Sequence, residues 1–261
     1  MQIEPQPLIP PEVLPAPLAP AEKKLIAPIW HTVLIIVIML TNSYLTAKLL
    51  AGRQGAAAGS PGARTGNYLF TIGFELFLFL LVWLGLWLKK SSMRDLIGGR
   101  WNTPEDFLID IGIAIGFWVL SIGVLAGLAY ALGQTNAAGV NDMKQRIGSL
   151  GPRSGAELSV FVSLSIVAGF VEEILFRGYL QQQLGILARN VWVGLIASAV
   201  IFGAGHGYEG TKNMIRIAVF GAMFGVLALW RKSLRPGMMA HAFQDSVAGF
   251  LLYFLGRMGK F

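Results

Sequence analysis

Seven apolar runs, each close to the length that crosses a bilayer, leave this chain few folds to choose from. They cover 29–50, 68–88, 107–132, 158–180, 191–206, 213–230 and 236–255, the fifth being the shortest. About 20 consecutive apolar residues span the hydrocarbon layer as a helix, and no open strand can, because its backbone groups would go unpaired there. The expected fold is therefore all-α, a polytopic transmembrane bundle of about seven membrane helices. An eighth would come only from splitting the long third run. Hydrophobic residues make up 54% of the chain and charged residues 13%, about half the charge of a soluble domain.

The formal charge of +7 invites a nucleic-acid reading, but the cations sit at span ends, as in Lys89-Lys90, Arg94, Arg100 and Arg231-Lys232. That is the pattern of loops flanking membrane helices. Alternate loops divide the 21 lysines and arginines almost evenly. The dense 89–100 loop tips the orientation towards an N-terminus inside. No nucleic-acid partner is expected; the bilayer is. The chain has no cysteine, which excludes a cysteine nucleophile and a thiolate metal site. Residues 1–28 carry eight of the twelve prolines and read as an extended tail, not a signal peptide. Residues 29–156 form an N-terminal three-span region, and 157–261 a four-span catalytic core. The glycine-rich 51–67 stretch reads as a flexible loop, 93–97 as a short interfacial helix, and 133–155 as the longest connection.

Within the fourth run stand Glu172, Glu173 and Arg177. A carboxylate near the bilayer centre costs about 2.5–3.5 kcal/mol on insertion scales, so two of them with an arginine point to function. Residues four apart share a helix face, so Glu173 pairs with Arg177 and leaves Glu172, rotated by about 100°, available as a base. Two of the three histidines lie in later runs, in Phe202-Gly-Ala-Gly-His206 and His241-Ala-Phe-Gln-Asp245. Arg189 is equidistant in sequence from Glu172 and His206. A hairpin turning at Arg189-Asn190 places both at one depth, where they can hold a water between them. Gly203 and Gly205 leave room beside His206. His241 and Asp245 share a face too. His241 follows Pro236 so closely, however, that tilt or a re-entrant start is needed to bring it level. His31, Glu75 and Asp110 read as snorkelling or helix-bonding residues.

An HExxH zinc motif and a GxGD aspartyl motif are absent, and neither Ser60 nor Ser149 has a partner for nucleophilic work. Water activated by glutamate and histidine remains. EEILFRG, FGAGH and HAFQD resemble the three motifs of the CAAX-protease and bacteriocin-processing family, EExxxR, FxxxH and HxxxN/D, over roughly 160–250. His206-Gly-Tyr-Glu-Gly210 and Leu234-Arg-Pro-Gly237 are similar to bacterial members as well. The resemblance implies a helical membrane endopeptidase of the cell membrane, multi-pass and bacterial, built around a polar intramembrane cavity. Its substrate would be a membrane-associated peptide or protein, such as a prenylated tail or a leader peptide. It implies that Glu172 and His206 activate the water and that His241 with Asp245 faces the oxyanion. Glu173, Arg177 and Phe202 would support the site. Eukaryotic members carry asparagine where this chain has Asp245; an ionised aspartate cannot donate to an oxyanion, so Asp245 is expected to orient His241. No cofactor is expected. The alternatives are a divalent metal held by Glu172, His206 and His241, or a non-enzymatic immunity or scaffold protein. A transporter is disfavoured because the halves show no repeat.

Overall fold

The computed structural model describes residues 24–52, 61–141 and 151–259. Most of the proline-rich tail, together with Ser60 and Ser149, lies outside the described residues. Those residues contain nine α-helices and no strand: α1 (Ile29–Gly52), α2 (Pro61–Leu88), α3 (Met93–Ile97), α4 (Pro104–Ala131) and α5 (Gly155–Glu172) come first. A π-helical segment, Glu173–Leu180, continues α5 into α6 (Gln181–Leu187). After it come α7 (Val191–Gly205), a 3-10 turn (Gly207–Glu209), α8 (Thr211–Arg231) and α9 (Arg235–Arg257).

Local chemistry sets the boundaries. Thr103 and Asp106 form a capping box at the start of α4, with Pro104 in its first turn. Ser154 caps α5 by accepting from the Glu157 N–H, and Asn190 caps α7 by accepting from the N–H groups of Trp192 and Val193. Arg189 takes a left-handed φ of 51°, so the α6–α7 hairpin turns where its spacing predicts. The interfacial helix expected at 93–97 is α3. Of the stretch 51–67, read as a loop, the described ends are helical: α1 runs on to Gly52 and α2 begins at Pro61.

Among the described residues, five helical stretches are long and apolar enough to cross a membrane: Ile29–Leu49, Gly62–Leu88, Pro104–Ala131, Gly155–Leu187 and Thr211–Arg231. The chain is a multi-pass membrane protein. Five is fewer than the seven runs suggest, for two reasons. α7 has 15 residues, and the 23 residues of α9 carry Arg235, His241, Gln244, Asp245 and Arg257. The third run is one helix, α4, and supplies no extra crossing. Exposed Leu80, Trp83, Val119, Leu120, Ile196 and Val200 form the kind of apolar exterior that lipid covers.

The core lies where α1, α2 and α3 meet the π segment. Ile35, Leu78, Val82 and Leu86 pack with Ile174, Leu175, Tyr179 and Phe202. Glycines bring the site-bearing helices close. A Cβ on Gly169 would stand 2.5 Å from the Ala242 nitrogen, which joins α5 to α9. One on Gly203 would meet the Met214 carbonyl at 2.5 Å, which joins α7 to α8.

Candidate active site

The site is built on the joint between α5 and the π segment. Glu173 begins that segment and is 1% exposed. Its Oε1 accepts from Arg177 Nη1 at 2.8 Å, the expected pair, and from His241 Nδ1 at 3.1 Å. Arg177 also donates to the Gly221 carbonyl at 3.2 Å, and its guanidinium lies 4.4 Å from the Phe202 ring centroid. The arginine is thus spent on supporting contacts: one carboxylate, one carbonyl and an aromatic face. Phe202 is the packing hub, with its ring 4.7 Å from Phe176 and 4.9 Å from His206.

Glu172 sits at the end of α5, turned away from Arg177, and its Oε2 is 3.6 Å from His241 Nε2. Asp245 Oδ2 stands 3.6 Å from the same nitrogen, with its side chain 38% exposed and so towards the open end of the group. His241, the residue hardest to place by counting, is therefore central. It reaches this depth because α9 starts well inside the level of the Arg189 turn. Leu234 lies against Gly178, and a Cβ on Gly237 would be 3.2 Å from Glu173 Oε2. One turn further on, His241 meets both glutamates.

His206 follows the last residue of α7. Its Nδ1 lies 2.9 Å from the Phe202 carbonyl oxygen, which can only accept, so Nδ1 carries the proton and Nε2 is left with its lone pair. The backbone around it is clamped by α1: Ser43 Oγ donates to the Ala204 carbonyl at 3.0 Å and accepts from the Gly207 N–H at 3.1 Å. His206 and Glu172 both lie within electrostatic range of Asp245 and of Glu209.

Sequence reasoning gave no place in the site to four residues that the structure brings here. Ser43 is one. Glu75 of α2 is buried, with Oε2 unbonded, within electrostatic range of Glu172. Tyr208 and Glu209 occupy the turn after His206, the Tyr208 ring 5.9 Å from the imidazole. Burial first, then the Glu209, Glu172, Glu75 and Asp245 carboxylates, pushes the Tyr208 phenol well above its ordinary value. Burial also raises the Glu209 carboxyl, against the pull of His206. Tyr208 and Glu209 stand in the motif's own connecting text; Glu75 is signalled only as a carboxylate in an apolar run. His31 and Asp110 lie in other contacts. His31 Nδ1 pairs with the Tyr179 hydroxyl at 2.9 Å, and Asp110 with Arg231 at 2.9 Å.

Among the described residues, no group of three or more histidines and carboxylates is arranged as a metal-ligand set. A cavity of about 920 Å³ lies towards the other end of the π segment, lined by Arg177, Gln181, Lys232 and Ser233 among others.

Against known proteins, residues 154–247 match the family described as type II CAAX prenyl endopeptidase Rce1-like. No curated protein and no solved structure matches the chain. The matched segment opens at the Ser154 cap of α5, holds Glu172, His206, His241 and Asp245, and ends two residues beyond the last of them. Residues 154–247 are thus a domain of the Rce1-like type II CAAX prenyl endopeptidase family, a protease family.

Proposed function

We propose that the chain is an intramembrane endopeptidase of the glutamate type, hydrolysing a peptide bond in a membrane-associated peptide or protein tail. The observation that carries the reading is the division of roles around His241. Glu173 is committed to Arg177 and the imidazole, while Glu172 is uncommitted to the arginine and shares its surroundings with the bare Nε2 of His206. A water held by Glu172 and His206 loses its proton to Glu172 as its oxygen attacks the carbonyl carbon. The carbonyl π electrons move to oxygen. When the C–N bond breaks, the amine takes that proton from Glu172. His241, oriented by Glu173 and Asp245, faces the developing charge. The substrate class is a prenylated tail or a leader peptide at a bacterial cell membrane, and α7 and α9 join the five long spans in enclosing the site.

Glu172→Gln and His206→Ala are each expected to lower cleavage at least a hundredfold, with membrane insertion and purification unchanged. Proteomics of membrane peptides from cells carrying wild type or Glu172→Gln would reveal the substrate. A farnesylated CAAX peptide serves as the defined probe. Cleavage of that probe surviving both substitutions would sink the reading.

A further inference from the structure

A tetrahedral intermediate needs a hydrogen-bond donor at its oxyanion, and this site is rich in acceptors. Glu172, Asp245, Glu209 and Glu75 are carboxylates, which accept only when ionised. The Nδ1 proton of His206 is given to the Phe202 carbonyl, and that of His241 to Glu173. Nε2 of His206 is left with its lone pair, and a second proton on His241 sits between Glu172 Oε2 and Asp245 Oδ2, each 3.6 Å from Nε2, so it is shared with those carboxylates. The Ser43 hydroxyl is given to the Ala204 carbonyl. Tyr208 differs from all of these. Its ring lies 5.9 Å from that of His206, inclined by 35°, and no hydrogen bond ties its hydroxyl to another described residue. Tyr208 follows His206 by two positions along the chain, and its ring lies beside the imidazole that shares the water with Glu172. The 3-10 turn that carries it is fixed to α1 through the Gly207 N–H.

We propose that Tyr208 is a further catalytic residue, donating its O–H to the substrate oxyanion in a site where Asp245, the last residue of the third motif, is an acceptor. The inference rests on the hydrolytic reading above. The phenol keeps its proton throughout: the water proton passes to Glu172 and on to the leaving amine, and Tyr208 only bonds the oxygen that gains the electron pair.

Tyr208→Phe removes the hydroxyl and leaves the ring against His206. With the farnesylated CAAX peptide as probe, kcat is expected to fall about a hundredfold with KM nearly unchanged, as for loss of one oxyanion donor. Binding of the uncleaved peptide should be equal in Glu172→Gln and in Glu172→Gln/Tyr208→Phe. Adding Asp245→Asn to Tyr208→Phe supplies an amide donor from the opposite wall and should recover at least tenfold in kcat. A Tyr208→Phe kcat within threefold of wild type, or no recovery in the double variant, overturns the proposal while Glu172 dependence still stands. A probe cleaved equally by wild type and Glu172→Gln instead overturns the hydrolytic reading beneath it. Should Tyr208→Phe not purify folded, Tyr208→His, another aromatic donor, must retain more than a tenth of the wild-type kcat for the proposal to survive.

Discussion

At the residue scale, the decisive arrangement is a buried cation with a single carboxylate partner. Arg177 is 3% exposed and answered by Glu173, which also holds His241. Removing one member of a buried pair orphans the other, at about 3–5 kcal/mol, whereas replacing both with apolar residues of like volume costs far less. Glu173→Gln is therefore expected to destabilise strongly, and Glu173→Leu/Arg177→Met less than either single change. Thermal unfolding in detergent reads the difference. Both should lose activity, since His241 keeps only a neutral acceptor in the first and loses its tether in the second. This pairing is legible from helical spacing alone, as is the freedom of Glu172. That Glu173 has a second partner is not, because it depends on where α9 begins. Glu75 is a similar case: its run shows a carboxylate among apolar residues, but only the packing of α2 on α5 shows which neighbour it faces.

At the scale of elements, the hairpin at Arg189 and the caps at Ser154, Thr103 and Asn190 are local chemistry, and local sequence reports them. The π segment is not, for it is held in part from outside. The Phe176 carbonyl takes the Gln181 N–H and also Ser198 Oγ of α7, at 2.7 Å. The depth of α9 is likewise a tertiary matter, set by Leu234 against Gly178 and by the close approach at Gly169. That approach makes a prediction. With the Cβ position of Gly169 at 2.5 Å from the Ala242 nitrogen, Gly169→Ala must push α5 and α9 apart by several tenths of an ångström. Overpacking of this kind costs about 1–3 kcal/mol, and an ångström of misplacement in a catalytic group can cost about a hundredfold in rate. Gly169→Ala is thus expected to lower kcat at least tenfold while remaining folded. Gly116→Ala on α4, where the added methyl meets nothing within 4 Å, should match wild type. Equal rates for the two variants would show that the α5–α9 spacing does not govern the geometry at His241.

At the scale of the molecule, the family match covers 154–247, yet the structure ties that segment to what precedes it at every level. Gln183 bonds the backbone of Ile26 and Ala27, and the Tyr179 hydroxyl meets His31 and Thr32. Ser43 holds the turn of His206, Arg64 pairs with Glu157 at 3.2 Å, Arg231 pairs with Asp110, and Arg235 bonds the Gly98 carbonyl. Each is a polar group in an apolar setting, where an unanswered donor or acceptor costs about 1–3 kcal/mol. Losing α1 together with the residues just before it would leave Gln183, Tyr179 and the 206–207 backbone without these partners and would strip Ile174, Leu175 and Phe202 of packed neighbours. A chain beginning at residue 151 is therefore expected to insert poorly and to show no cleavage. Supplying residues 24–141 as a separate polypeptide should restore measurable activity, because the contacts between the parts are many and none needs the connecting peptide. Ser43→Ala tests one of them in the intact chain. Loss of the two hydrogen bonds around His206 should lower kcat about tenfold, with Ser43→Thr retaining most of it. Full activity from the 151–261 fragment alone would mean that the first three long helices are a membrane anchor and not part of the catalytic frame.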